Sequence, residues 1–140
     1  MVTAVIPPLD VRTAREKVET QYENLNLFVD RFGPIAQAIE ALDASAAMKR
    51  LSQKAVDQNE VNKQRVVVAI RVLKQGLINL ESEFRAKPSL QKYLASIEGL
   101  TEMGNEAEDL AIAGKFVGAK DPLRNAARKL SDTLALMPKG

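Results

Sequence analysis

One stretch of the chain, residues 62 to 88, constrains the fold more than any other. It reads NKQRVVVAIRVLKQGLINLESEFRAKP, and its apolar residues alternate between spacings of four and three: Val66, Ile70, Leu73, Leu77, Leu80 and Phe84. Because residues three and four apart lie on one face of an α-helix, this spacing predicts a long helix with one apolar stripe. We interpret the stripe as the central seam of a bundle of helices.

Proline, glycine and capping residues divide the N-terminal half of the chain. Asp10 follows two prolines and predicts the start of a first helix. The heptad series of this helix is Val11, Val18, Leu25 and Phe32. Gly33 and Pro34 predict its end and the start of a second helix, which carries Ile35, Ala38, Ile39 and Leu42 and kinks at residues 43 to 45.

Three further boundaries are predicted in the rest of the chain. Asp57 and Glu60 have the spacing of a capping box and start a third helix, although an unbroken helix through this point fits nearly as well. Pro88 ends that helix, and a fourth begins at about Ser89. Residues 114 to 122, GKFVGAKDP, are predicted to form a loop, and Asp121 and Pro122 at the end of this loop open a fifth helix.

The predicted fold class is all-α, an antiparallel bundle of four to five helices joined by short turns. No segment has the period of two residues that indicates a half-buried strand. Only 4% of the residues are aromatic, so the core must be built from aliphatic side chains. A chain of 140 residues fits one domain, and we predict an extended segment at residues 1 to 9 and a single helical domain at residues 10 to 140.

Composition excludes several classes of chemistry. The chain has no cysteine and no histidine, which removes thiolate nucleophiles, the usual general base and the commonest metal ligands. We therefore predict a protein that is not an enzyme and has no catalytic residue, cofactor or metal site. The net charge of +2 argues against a nucleic-acid partner. The N-terminus lacks the pattern of a signal peptide, and we expect a soluble, cytoplasmic protein.

Two charged stripes are the candidate binding residues. The acidic stripe of helix four consists of Glu98, Glu102, Glu106 and Asp109. The basic stripe of helix five consists of Lys120, Arg124 and Arg128. Like charges at helical spacing repel, so another interaction should offset this repulsion. The simpler interpretation, which the sequence favours, is that the stripes flank the seam between these helices or are solvated. The alternative is that one stripe binds a partner protein, and carboxylate-only metal binding is the weakest of the three.

Glycines and the C-terminal segment allow further interpretations. Gly76, Gly99 and Gly104 interrupt helical patterns, and close helix packing explains them best. The segment AGKFVGAKD lacks the spacing of a phosphate-binding loop. The C-terminal segment PLRNAARKLSDTLALMPKG is basic and amphipathic, so it could lie on an anionic membrane, but completion of the bundle core is favoured.

One stretch resembles a known family. LKQGLINLESEFR, residues 73 to 85, follows FGPIAQAIEAL and resembles a segment of the helical-rod subunits of exocyst-type tethering complexes, with matches at Leu80, Glu81, Phe84 and Arg85. The resemblance covers about a third of the chain, and residues 89 to 140 have no counterpart. It implies stacked helical bundles that act as a scaffold near membranes.

Two functional hypotheses follow. The first is a non-enzymatic protein–protein interaction module, an adaptor, scaffold or assembly subunit that binds another protein or a second copy of itself. The alternative is a ligand-sensing or accessory helical domain of a larger receptor or multidomain enzyme. The first predicts an exposed apolar strip, and the second predicts a pocket between helix ends. Five apolar residues off the main stripe bear on this choice: Val61, Val67, Val68, Val72 and Ile78.

Overall fold

The computed structural model describes residues 8 to 138. It contains five α-helices: α1 (Leu9–Ala47), α2 (Gln53–Ala86), α3 (Leu94–Ile97), α4 (Leu100–Ile112) and α5 (Phe116–Leu136). A 3₁₀ helix, Pro88–Tyr93, leads into α3. The described part of the chain contains no strand, so the all-α prediction is confirmed. Most of the predicted extended segment lies outside the described residues, and α1 already begins at Leu9.

The four longer helices pack as a ring, in which α1 and α4 each contact both α2 and α5. Neighbouring helices run in opposite directions. In α2, Arg71 pairs with Glu108 near the end of α4, whereas Glu81 meets the amide of Thr101 at its start. Likewise α5 starts beside Glu40 in the second half of α1 and then runs back along it. The antiparallel bundle prediction is confirmed.

The apolar spacing of the sequence defines the core. In α2, Ile70, Leu77 and Phe84 are fully buried, and Leu73 is half-buried. The predicted heptad series of α1 is buried throughout, and α5 adds Phe116, Leu123 and Leu130. Full burial of one such side chain contributes about 1.5–3 kcal/mol. The predicted contribution of the C-terminal segment to the core is confirmed, since Leu123, Ala126, Leu130 and Met137 are buried.

The predicted break at Gly33 and Pro34 is wrong, because α1 continues through both residues. Proline lacks an amide hydrogen and usually bends a helix. Here Phe32, Ala36 and Ile39 on either side are buried, so tertiary packing outweighs the local cost. The predicted N-cap, Asp10, is two residues late: Pro8 is the N-cap, and Asp10 lies in the first turn, where its negative charge interacts favourably with the helix dipole.

Three other predicted boundaries are wrong. α2 begins at Gln53 rather than at the predicted capping box, because the Ser52 hydroxyl accepts a bond from the amide of Ala55 at 3.2 Å. The alternative prediction, a helix that is unbroken through residues 57 to 60, is confirmed. The predicted fourth helix is divided at Gly99, whose φ of 101° is readily adopted only by glycine. The predicted long loop is reduced to residues 113 to 115, since burial of Phe116 and Ala119 extends α5 towards the N-terminus.

Both α4 and α5 are capped by a carboxylate from a neighbouring helix. Neither Gly99 nor Lys115, the local N-cap residues, provides a side-chain cap. Instead Glu81 Oε1 accepts from the Thr101 amide at 3.0 Å, and Glu40 Oε2 accepts from the Val117 amide at 2.5 Å. An acidic group at a helix N-terminus accepts a hydrogen bond from an otherwise unpaired amide and interacts favourably with the positive end of the helix dipole. These two contacts fix where the shorter helices begin.

The far end of the long pair α1 and α2 extends beyond the ring. The loop between α4 and α5 lies beside Glu60, Lys63 and Gln64 of α2. Residues 41 to 59 therefore have no third or fourth helix against them, and we call this part the hairpin tip. Within it only Asn59 is buried. The Asn59 side-chain amide donates to Asp43 Oδ1 at 2.9 Å, and Lys63 Nζ donates to the same oxygen at 3.1 Å.

Candidate interaction surface

Five apolar residues of α2 lie off its main stripe, and the structure divides them. Val67 is buried and Ile78 is half-buried. Val61, Val68 and Val72 are exposed by 45%, 55% and 69%. These three valines follow one another at spacings of seven and four residues, so they form a second stripe on the outer face of α2.

Exposed apolar side chains of α1 lie beside Val72, whereas Val61 and Val68 lie beside Glu60 and Gln64, away from α1. Leu27 and Ile35 are exposed by 51% and 48%. Together with Val72 they form the walls of a cavity of about 570 Å³ between α1 and α2. We call it the α1/α2 groove. Its floor is formed by Phe28, Phe32, Val66, Ala69 and Leu73.

The groove floor is held in place by the core. Phe28 and Phe32 stack with ring centroids 5.1 Å apart, and Phe32 is almost fully buried. Val66 belongs to the main stripe of α2 and is also buried. Because these floor residues anchor in packed structure, we expect the groove to keep its shape when it is empty.

The groove continues towards the hairpin tip. A second cavity of about 370 Å³ shares Ile35, Arg65 and Val66 with the first and extends to Leu42 and Asn59. Along α1 the two cavities span residues 24 to 42. At 1.5 Å per residue that distance is about 27 Å. A surface of this length and apolar character is typical of a site that another helix covers.

The charges at the groove all have one sign. The cavity between α1 and α2 is lined by Arg31 from α1 and Arg65 from α2, and by no acidic residue. Within residues 8 to 138 neither guanidinium forms an ion pair. The other basic residues of α2 between positions 61 and 80, Lys63, Arg71 and Lys74, pair with carboxylates and do not line this cavity. The groove is therefore apolar, with Arg31 and Arg65 as its charged lining residues.

Sequence reasoning identified one side of this surface and missed the other. The sequence pattern places the valines of α2 off the main stripe, but it groups Ile35 with Ile39 and Leu42 as the apolar residues of a second helix. That assignment is wrong, and it depended on the false break at Pro34. In an unbroken α1 the heptad series continues from Phe32 to Ile39, which is buried, and leaves Ile35 outside the core.

The predicted charged stripes do not meet. All four acidic residues, Glu98, Glu102, Glu106 and Asp109, are exposed, as are Arg124 and Arg128. Although α4 and α5 contact each other, no ion pair joins the stripes within the described range. Glu98 approaches Arg85 at 3.9 Å instead. A Cβ atom at Gly33 would lie 3.6 Å from Lys120 Nζ, which places Lys120 towards α1. Partner binding by these stripes stays a prediction.

Close helix packing explains Gly104. A Cβ atom there would lie 3.3 Å from Lys74 Cα, so α2 and α4 would have to move apart by a few tenths of an ångström to accept it. A Cβ atom at Gly76 would lie 2.6 Å from the amide end of the Gln21 side chain of α1, which can rotate away. Gly99 has a different role, since it divides α3 from α4 by its positive φ.

The carboxylates with shifted pKa values have structural partners. Burial alone would raise the pKa of Glu81, but hydrogen bonds from Arg85 and the Thr101 amide lower it below the ordinary 4.5. Glu83 behaves similarly, because Lys87 and Lys17 outweigh burial and lower its pKa. Lys74 and then Arg71 lower the pKa of Glu108. Each group is held ionised between helices and is unsuited to proton transfer near neutral pH.

Leu80, Glu81, Phe84 and Arg85, the phrase that carries the family resemblance, have local roles in this fold. Leu80 and Phe84 are buried in the core. Arg85 donates to Glu81 at 2.6 Å while Glu81 caps α4. These contacts explain the pattern physically without reference to a partner.

The described residues contain neither a metal-binding cluster nor a membrane-spanning helix. Within residues 8 to 138 no cluster of three or more acidic side chains is arranged to hold a metal ion. None of the described helices has the length and apolar content needed to cross a bilayer. No protein-family model, curated protein or solved structure matches the chain.

Proposed function

We propose that this protein is a non-enzymatic interaction module that binds an amphipathic helix of another protein in the α1/α2 groove. The observation that carries the proposal is the set of exposed apolar side chains that two neighbouring helices place around one cavity, above all Leu27, Ile35 and Val72. Scattered apolar residues are normal on a protein surface, whereas several that line one groove indicate a contact surface.

The shape of the groove favours a helix as the ligand. Two antiparallel helices leave a channel along their contact line, and a third helix can place a row of side chains in it. The channel is about 27 Å long, which matches about 18 helical residues. Phe28 and Leu73, which are half-buried, would be covered from above by such a helix. Affinity would come from a few apolar anchors near the centre of the contact.

The alternative, a ligand-sensing or accessory domain, has less support. It predicts an enclosed pocket between helix ends, but the α1/α2 groove runs along the flanks of two helices. The cavity near the α4–α5 loop is lined by charged groups that already have partners, including Lys63 and Arg71. The implied scaffold of the tethering-complex resemblance agrees with an interaction module, and stacking against a neighbouring bundle would use the same kind of apolar strip.

A synthetic peptide provides the direct test. The probe is an 18-residue amphipathic helix with leucines on one face and alanine and glutamine elsewhere, labelled with a fluorophore and measured by fluorescence anisotropy. We expect saturable 1:1 binding to the wild-type chain. Leu27→Asp should weaken binding by about 2 kcal/mol, since it puts a charge on the groove wall.

A matched variant distinguishes binding in the groove from nonspecific binding to exposed apolar side chains. Leu136 in α5 has a similar exposure, 61%, but lies outside the groove. Leu136→Asp should leave peptide binding unchanged. Equal loss in both variants, or no saturable binding to the wild type, would contradict the proposed function. Sedimentation across a range of protein concentrations should show a monomer, and a dimer abolished by Leu27→Asp would assign the groove to self-association instead.

A further inference from the structure

We infer that the helix bound in the α1/α2 groove is acidic, with carboxylates along both edges of its apolar face. This inference rests on the proposed function, because it names the chemistry of the ligand of the same groove. The observation behind it is the position of Arg31 and Arg65. One comes from each helix, both line the same cavity, and no acidic residue lines that cavity with them.

The two arginines are available to a ligand. Both side chains are exposed, and within the described residues neither has a carboxylate partner. This differs from Arg71, Arg85 and Lys74, which hold Glu108 and Glu81. Arginine forms bidentate bonds with carboxylates and tolerates an apolar neighbourhood better than lysine. Unpaired arginines at the edges of an apolar groove therefore match a ligand with an apolar face and acidic flanks.

The charge of the groove lining favours the same ligand. Of the four basic residues between positions 61 and 80 of α2, Lys63, Arg71 and Lys74 pair with carboxylates, and Arg65 is the one without an ion pair in the described part of the chain. An acidic helix would bring carboxylates to Arg31 and Arg65, whereas a basic helix would bring like charges together at a partly desolvated contact. The cost of like charges at such a contact is a source of specificity.

Other ligands fit the groove less well. A second copy docked by the same face would bring the Arg31 and Arg65 side chains of both copies into one contact. Nucleic acid needs an extended cationic surface, and the groove centre is formed by leucine, isoleucine, phenylalanine and valine side chains. An acidic amphipathic helix satisfies both the apolar centre and the charged edges.

The test compares three peptides of the same leucine-faced design. They carry glutamine, glutamate or lysine at the positions that flank the apolar face. We expect the glutamate peptide to bind about tenfold more tightly than the glutamine peptide at low salt, and the lysine peptide to bind more weakly. The advantage of the glutamate peptide should shrink as salt concentration rises.

Charge reversal then locates the effect. In Arg31→Glu with Arg65→Glu the order should invert, so that the lysine peptide binds best. The control is Arg124→Glu with Arg128→Glu, which reverses two exposed arginines of the basic stripe on α5. This control should bind the three peptides as the wild type does. If only the control changes the order, the acidic peptide binds the α5 stripe and the inference is overturned.

The two proposals fail in different ways. Equal binding of all three peptides, still abolished by Leu27→Asp, would leave the helix-binding groove intact and overturn its acidic specificity. Absence of binding by all three would contradict the proposed function itself. Circular dichroism of each variant should show wild-type helicity, because the four substituted arginines are exposed and form no internal ion pair in the described part of the chain.

Discussion

Residues 66 to 84 and residues 41 to 59 belong to the same long pair of helices, yet their surroundings differ completely. The first range is part of α2 where α1 and α4 also pack, and Ile70, Leu77 and Phe84 are fully buried there. The second range is the hairpin tip, where two helices have only each other. Its buried residue is Asn59, hydrogen-bonded to Asp43.

The comparison shows that the number of helices packed around a segment, more than its helix propensity, decides which apolar residues are buried. A pair of helices can bury a narrow seam, and a ring of four can bury a wide one. The α1/α2 groove overlaps the first region at Val66, Ala69, Val72 and Leu73, and its continuation reaches the second at Leu42 and Asn59. Along it the inner faces of α1 and α2 are covered by other helices and the outer faces are exposed. The following predictions test how far the two regions differ.

The largest difference is expected for a buried charge. Ile70→Asp should destabilise the protein by more than about 4 kcal/mol, because an unpaired carboxylate would lie in a dry core. Val56→Asp in the hairpin tip, where the valine is half-buried, should cost less than about 2 kcal/mol. Thermal unfolding followed by circular dichroism measures both. Similar losses would mean that the tip is as enclosed as the ring.

Acid and alkali should destabilise different regions of the protein. Glu81, Glu83 and Glu108 have lowered pKa values, so their contribution is complete above about 4.5 and is lost as the pH falls through their lower folded values. Burial would lower the pKa of Lys63, but Glu60 and Asp43 raise it, so its contribution disappears only as the pH rises beyond 10.5.

Hydrogen exchange and chemical denaturation at several pH values measure this separation. Acid should lower the global stability, which depends on the ring, whereas alkali should first loosen residues 41 to 59. Acid that loosened only the tip would contradict the assignment of these carboxylates to contacts within the ring.

Removal of the cap on α4 should have a smaller effect. Glu81→Ala leaves the Thr101 amide without its acceptor and Arg85 without its partner, at a cost of about 1–3 kcal/mol. The matched variant is Glu60→Ala, which removes an exposed ion pair with Lys63 and should cost less than about 0.5 kcal/mol. Urea denaturation compares them, and equal costs would argue against an inter-helix cap.

The smallest difference is expected between two helical glycines. Gly104→Ala should destabilise the protein by about 1 kcal/mol, because the added methyl group would press on Lys74 where α2 and α4 meet. Gly118→Ala has open space around it and should stabilise α5 by up to about 1 kcal/mol through helix propensity. Opposite signs in thermal unfolding would support close packing at Gly104, and equal signs would oppose it.

Much of the fold could be predicted from the sequence, because the core spacing is a local pattern. The stripes of α1 and α2 follow directly from residues three and four apart, and these positions are buried except for the half-buried Leu73. Helix ends were harder to predict. Pro34 and the box at residues 57 and 60 are local signals for a boundary, but packing on α5 and the cap from Ser52 outweighed them.

The candidate surface could be predicted only in part, for the same reason. Val61, Val68 and Val72 were visible as residues off the main stripe. Ile35 became visible as an outer residue only once α1 was known to continue through Pro34. The capping roles of Glu81 and Glu40 depend on contacts across 20 and 77 positions of sequence, and no local pattern reports such distances.

Thiol reactivity at single introduced cysteines tests the central proposition, that the groove is open in the free protein. The chain has no cysteine of its own, so Val72→Cys and Leu77→Cys each provide one probe. The account given by the structure predicts rapid labelling at residue 72, slow labelling at residue 77, and protection of residue 72 when the glutamate peptide is added. Protection of residue 72 in the free monomer would contradict it.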